Sequence, residues 1–340
     1  MSNQNKTAIK SLCRRLVLIL GLAGVIQVHA ANLPDAQELM QLLGIQQKEF
    51  ASLDQGKVVS FDVAEGDEKE LAAGVVIYLP ASPAKIIQFI NKKGMAAIDT
   101  DVIAQGSIPA QATEDAFKGF VIKAGSDEAK DFLQSKPGSQ FNLSTEEFQS
   151  LRNAGSSSPD AASQVYRKVL FERWQSYRKN GLKGIATYDR GNGTEANPGG
   201  ELRDATQANK VLARYFPELN KAWLNYPAAL PTGAEERFFW LNRKVEGRPT
   251  AILGHRIILS AGEVGEVIIV RQFYVGHSYN STQLSVACLP YRNGSLLFYA
   301  NRSFTDQVAG MGSSLKHSIG REQMKGEIIK QLTNLRKVFK

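Results

Sequence analysis

Nine consecutive residues, Val275 to Gln283 (VGHSYNSTQ), concentrate four kinds of reactive or hydrogen-bonding group: an imidazole, hydroxyls, a phenol and carboxamides. A histidine beside a serine is the minimum for base-activated nucleophilic attack. The same groups, with Arg271 and Tyr274 just upstream, could instead orient the polar end of a bound small molecule. A third reading is structural, since the stretch joins two segments of strand character and could simply turn one into the next. Its position favours a hairpin connection first. Binding residues favour connections held on a rigid scaffold, so Arg271, Tyr274, His277 and Tyr279 are expected as ligand-binding residues at the rim of a cavity.

Other motifs carry less. Ser313 and Lys316 form S-x-x-K, and Ser278 with Asn280 forms S-x-N, two elements of penicillin-recognising enzymes. Their order is reversed and no K-T-G follows, so GMGSSLKHS reads as the polar first turn of a terminal helix. No G-x-S-x-G occurs. After the first thirty residues the histidines are His255, His277 and His317, with no i, i+4 pair and no H-E-x-x-H, so neither a metal nor a cofactor is implied. His255 shares a strand face with Leu253 and Ile257, as a core histidine would. Cys288, in line with Leu284 and Val286, reads as a buried small hydrophobe. The segment DRGNGTEANPGGELRD lacks G-K-[ST], and its glycines suit the left-handed positions of a long loop rather than a phosphate cradle. Tyr188 and Arg190 stand out there, because an aromatic ring beside a guanidinium can bind a carboxylate, phosphate or sugar. A structural pair is the competing reading.

The elements that must position these groups follow from periodicity. RFFWLNRKV, TAILGHRIIL, EVIIVRQFYVG, TQLSVACLPY and SLLFYANRS read as five strands joined by connections short enough for antiparallel hairpins. In EVIIVRQFYVG, Val267, Ile269, Phe273 and Val275 fall on one face and Ile268, Val270 and Tyr274 on the other. A strand with one wet face should alternate apolar and polar, so both faces are expected to be covered. The chain ends in a helix striped by Met324, Ile328, Leu332 and Leu335, with Ser303 as the expected cap. Upstream, PDAQELMQLLG, SDEAKDFLQ and STEEFQSLRNA read as helices, the last with Ser144 and Glu147 as a capping box. KVVSFDV, ELAAGVVIYLP, DVIAQGSIP and FKGFVIK read as strands. ASPAKIIQFINKKG is a helix with Ser82 at the N-cap, Pro83 in the first turn and Gly94 closing it. GSSSPDAAS is the best linker, leading into a helix whose Tyr166, Leu170, Trp174 and Tyr177 share one side. Two short helices separated by Pro217 complete the central part.

Residues 1–30 have the layout of a secretory signal peptide: a basic start, the apolar run LVLILGLAGVIQV, and a small-x-small site before Ala31. A retained anchor is the rival, although the run is short of the roughly 20 residues that spanning takes. Of 41 basic residues the leader holds four and no acid, which leaves 37 against 33 acids, a net +4. That mild excess, without a dense basic stripe, argues against nucleic acid. Of the two cysteines only Cys288 follows the leader, so the core alone must stabilise the fold. The expected address is periplasmic or secreted, without a stable membrane span after cleavage.

GVVIYLPASPAKIIQFINKKG resembles the strand–ASP–helix opening of START-like (SRPBCC, helix-grip) domains, and the terminal meander closed by a long helix resembles the other end of that fold. Together these segments cover about 130 of the 340 residues. The resemblance implies a curved antiparallel sheet gripping the last helix around an apolar cavity that holds lipids, sterols, polyketides or other hydrophobic molecules. The block from Lys118 to Glu235 departs from that pattern, so no ligand residues carry over. The chain as a whole also resembles exported bacterial proteins of unassigned function, which implies an address and no activity.

The expected fold is α+β: an antiparallel meander gripping a long C-terminal helix, with an inserted helical region. The regions are the signal peptide (1–30), an N-terminal α+β part (31–155), a central helical part with a Gly-rich loop (156–235), and the meander with its helix (236–340); 31–340 could form one domain. The expected function is non-enzymatic binding of a hydrophobic or amphipathic small molecule. A hydrolase or lyase site near His277, Tyr279, Tyr188 and Arg190 stays open, as does an envelope protein-interaction module. Nothing in the sequence speaks to oligomeric state.

Overall fold

Apolar, β-branched segments separated by tight turns dictate the centre of the molecule. In the computed structural model, residues 34–153 and 160–340 are described. The expected signal peptide, and residues 154–159 of the expected linker region, lie outside the described residues. In chain order the elements are α1 (Ala36–Leu42), α2 (Gln47–Asp54), β1 (Val59–Phe61), β2 (Glu70–Leu79), α3 (Pro83–Lys93), β3 (Val102–Ile108), α4 (Asp127–Leu133) and α5 (Thr145–Asn153). There follow α6 (Ala161–Asn180), β4 (Tyr188–Gly191), β5 (Thr194–Ala196), α7 (Pro198–Gln207), α8 (Lys210–Tyr215) and α9 (Pro217–Leu224). The last third holds β6 (Ala234–Val245), β7 (Arg248–Ser260), β8 (Glu266–Val275), β9 (Ser281–Tyr291), β10 (Gly294–Phe304) and α10 (Ser313–Val338).

Eight strands form one antiparallel sheet in the order β1-β2-β10-β9-β8-β7-β6-β3. The expected five-strand meander is its centre, β6 through β10. The turn between β6 and β7 shows why the register holds: Glu246 and Gly247 have φ of 52° and 81°, the left-handed pair that matches the twist of a two-residue hairpin. The sheet is open, with β1 and β3 at its edges.

Both faces are covered. On one, Ile86 and Ile87 of α3 and Ile328, Leu332 and Leu335 of α10 pack on Val75, Ile77, Ile268, Val270 and Leu297. On the other, α1 and α2 cover the β1–β2 end, α8 and α9 cover Ile257, Val267 and Ile269, and α4, α5 and α6 cover the β6–β8 end. Long antiparallel sheet against a long terminal helix is consistent with a helix-grip arrangement. No described helix is long and apolar enough to cross a membrane.

The local signals behave as their chemistry requires. Ser82 accepts from Lys85 N at the start of α3, and Gly94 closes it at φ 70°. Ser144 and Glu147 exchange the two bonds of a capping box before α5. Four expectations need correction. FKGFVIK is not a strand: Ser163 Oγ bonds both the N–H and the C=O of Ile122, and Arg167 Nε donates to the Phe120 carbonyl, so α6 satisfies its backbone. Ser303 does not cap the last helix; it lies inside β10 against Thr282, and α10 begins only at Ser313. The long Gly-rich loop is instead the β4–β5 hairpin and α7, with Gly191 and Gly193 left-handed in the turn. Strict alternation in β8 also fails. Leu253 pairs with Tyr274 and Gly254 with Gln272, so Phe273 is an extra residue, and Phe273 and Tyr274 enter the same cluster while Val275 packs with Leu241 and Ile252.

Candidate functional site

The connection from β8 to β9 is pinned from outside. Asn142 Nδ2 donates to the carbonyls of Val275 (2.9 Å) and Tyr279 (2.8 Å), and Asn142 N donates to Gly276 O (2.8 Å). His277 is 1% exposed. Its Nδ1 lies 2.7 Å from Ser278 Oγ and its Nε2 2.8 Å from Thr250 Oγ1. Ser278 Oγ donates to Glu246 Oε2 at 2.7 Å. His277 Nε2 also lies 3.2 Å from the Pro249 carbonyl, which only accepts, and Thr250 Oγ1 donates to Arg248 O at 3.1 Å, so both ring nitrogens face a group that calls for the one N–H of a neutral imidazole. Burial, with Arg248 nearby, pushes the His277 pKa down to about 4. Ser278 Oγ is thus tied between His277 and Glu246 in a closed network.

The remaining expected residues fall into three environments. Tyr279 turns away to donate to Gln272 Oε1 at 2.6 Å and packs against Leu241, Ile252 and Val275. Tyr188 and Arg190, from β4, do reach the connection. Tyr188 Oη donates to Asn280 O (3.0 Å), and Arg190 binds Asn280 Oδ1 (2.8 Å) and Asp306 (2.9 Å). Glu201 joins them, accepting from Asn280 Nδ2 and Ser281 Oγ, and burial raises its pKa. Tyr274 is buried beside Tyr188, their rings 6.3 Å apart. Arg190 is thus engaged internally.

Arg271 sits farther along β8, fully buried, in a cluster that sequence spacing did not reveal. The ladder places His255, Arg271 and Gln283 side by side on three neighbouring strands. Arg271 donates to Tyr177 Oη (3.0 Å), Thr206 Oγ1 (3.2 Å) and Trp223 O (3.2 Å), with its guanidinium 4.0 Å from the centre of the Trp223 ring. Tyr177 Oη meets His255 Nδ1 at 2.9 Å. His255 Nε2 lies 2.9 Å from Glu236 Oε1, near in distance but poorly aligned for a hydrogen bond. Burial drives the His255 pKa down to about 4 despite Glu236. The signal available in the sequence was one polar residue interrupting each of three apolar strands, but only register aligns them.

An open groove lies elsewhere, between α3 and the β6–β8 ladder. This cleft has a volume of about 590 Å³; Ala84, Ile87 and Ile258 supply apolar wall, and Lys92, Arg237 and Glu235 are among its charged groups. That is within the range of small-molecule sites. A second hollow of about 700 Å³ is lined mainly by consecutive turns of α6, from Glu172 to Lys179, and so runs along one helix surface. Sequence reasoning missed the first cleft because its walls come from segments about 150 residues apart. Among the described residues, no group of three or more His, Cys, Asp or Glu could hold a metal ion.

No family model and no curated protein matches the chain. Among solved structures it is similar to Ara h 8.0201, at 9% identity over 40% of this chain and 88% of that one, with a TM-score of 0.18. It is also similar to the di-domain ARO/CYC StfQ from the steffimycin biosynthetic pathway, at 9% identity over 79% of this chain and 97% of that one, with a TM-score of 0.24. Likenesses this slight leave the helix-grip description to rest on the strand order and the terminal helix themselves.

Proposed function

We propose that this chain is an exported, non-enzymatic binding protein for a hydrophobic or amphipathic small molecule, held in the cleft between α3 and the β6–β8 ladder. The observation that carries the reading is the cleft itself: about 590 Å³, open to solvent, with Ala84, Ile87 and Ile258 as apolar wall among polar and charged side chains. The START-like sequence resemblance supports the same class of ligand. The basic, apolar and small-residue blocks of residues 1–30 support export.

Native mass spectrometry of the protein purified from its own host tests the binding claim. The expected result is a co-purifying molecule that is lost in Ala84→Trp or Gln88→Trp, two exposed α3 positions at the cleft. A bound molecule that both variants retain would place the site elsewhere, with the connection around His277 and Tyr279 next to be tested. The same spectrum tests export: a mature N-terminus near Ala31 is expected, and an intact Met1 would overturn cleavage.

A further inference from the structure

Beside the cleft, next to its lining residue Arg237 though not itself part of the lining, lies a residue that packing does not explain. Arg256, on β7, is aligned across the ladder with Arg237 of β6 and Val270 of β8, two residues from the cleft-lining Ile258. Val270 and Ile258 both face α3 and α10, so Arg256 points to that side too. Its Nε is buried without a hydrogen-bond partner, and among the described residues its guanidinium makes no hydrogen bond or ion pair. The neighbouring Arg237 is tied to Glu235 through Nε at 2.5 Å. A second buried polar atom without a partner, Asn91 Oδ1, is on the α3 side of the same cleft. The end-group oxygen and nitrogen of an asparagine are interchangeable by a flip, so Asn91 can offer an N–H there instead.

We infer that the cleft selects an anionic head group, a carboxylate or phosphate ester on an apolar tail, and that Arg256 is the residue that reads it. This rests on the reading of the cleft as a binding site. Arg256 is half-buried, with its Nε fully enclosed; charges withdrawn from water are ordinarily paired, and a guanidinium fork matches the two oxygens of a carboxylate or phosphate. The charges agree: in the lining Arg237 and Lys92 stand against two carboxylates, and Arg256, cross-strand neighbour of Arg237, adds a third cation. Of the carboxylates, Glu235 is engaged by Arg237, and Glu266 accepts from Ser260 at 2.9 Å while burial holds its pKa up. Burial and Arg237 together push the Arg256 pKa down to about 10, a strain that a bound anion would relieve. Ile87 and Ile258 offer the tail an apolar wall.

Calorimetric titration with dodecanoate, dodecyl phosphate, dodecanol and dodecyltrimethylammonium, all kept below micelle formation, tests the inference on wild type and Arg256→Gln. The expected result is that wild type binds the two anions at least tenfold tighter than dodecanol, and that Arg256→Gln abolishes the difference while still binding dodecanol. Dodecanol bound as well as dodecanoate, or an anion preference surviving in Arg256→Gln, overturns the inference and leaves the binding reading standing. No binding of any amphiphile overturns both. Acetate and inorganic phosphate serve as tail-free arms; if either binds as tightly as its dodecyl counterpart, the ligand is a free anion and the amphiphile is excluded. Should Arg256→Gln fail to fold, Lys92→Glu at the exposed rim replaces it: weakened anion binding with unchanged dodecanol binding is expected, and unchanged anion binding counts against the inference.

Discussion

Arg173 and Arg271 are both buried, 5% and 0% exposed, and are held in different ways. Arg173 forms a two-pronged pair with Glu147 at 2.6 and 2.5 Å and lies over the Tyr274 ring. Among the described residues Arg271 has no carboxylate partner, and each hydroxyl that it touches keeps another bond: Tyr177 with His255, Thr206 with Leu202 and Gln283. Removing the first cation therefore strands an acid, whereas removing the second strands little. Arg173→Met is expected to cost about 3–5 kcal/mol, and Arg271→Met to change stability by less than about 1 kcal/mol or to raise it. Urea unfolding of the two variants checks the contrast; equal large losses would show that Arg271 is held by a counter-charge. Part of the arrangement was legible at this scale, since His277, Tyr188 and Arg190 were singled out and do lie at or against one connection. Arg256 was not, because a lone arginine inside TAILGHRIIL looks the same whether paired or stranded. Only cross-strand register, with Arg237 beside it, distinguishes the two.

Elements were more legible than residues wherever the information is local. Period-two runs and short turns identify β6 to β10, and a serine, a proline and a glycine at the right offsets bound α3. Failures came where tertiary contacts decide. FKGFVIK has strand composition, but its carbonyl and amide groups are satisfied by Ser163 and Arg167 of α6 rather than by another strand. The bulge at Phe273 likewise depends on the partner strand. Covered faces were readable from β8 itself, since Val270 and Phe273 belong to cores on opposite sides of the sheet. Asp at either position should then cost several kcal/mol, or about 3 or more, because it buries an unpaired charge or forces it to neutralise. Thermal and urea melts of Val270→Asp and Phe273→Asp test the two layers separately. A wild-type melting temperature in either would mean that its face is wet.

At the scale of the whole molecule, two histidines couple the layers to pH. His255 lies under α6 and α9, among Tyr177, Trp223 and Tyr226, and His277 lies under the segment before α5, with Phe141 edge-on. Both have pKa values of about 4 in the fold, against 6.5 for an unperturbed imidazole. Between those values the unfolded chain binds protons that the folded chain refuses, so stability must fall as pH falls. The contribution is complete above pH 6.5, shrinks through the window from about 6.5 to about 4, and is gone below it. Each histidine is worth on the order of 3 kcal/mol across that window. Glu201, whose pKa is raised by burial, acts in the opposite sense and offsets part of the loss near the acid end. Depressed carboxyls such as Asp306, held down by Lys69 and Arg190, lose their contribution only at still lower pH. Urea unfolding at intervals from pH 7.5 to 4 should therefore show a decline that begins near 6.5, before ordinary carboxylates titrate. His277→Gln, which cannot take up a proton, should remove about half of that slope. A flat profile between pH 6.5 and 4.5 would mean that the folded protein carries these imidazoles protonated, with both nitrogens of His277 donating, to Ser278 and to the Pro249 carbonyl.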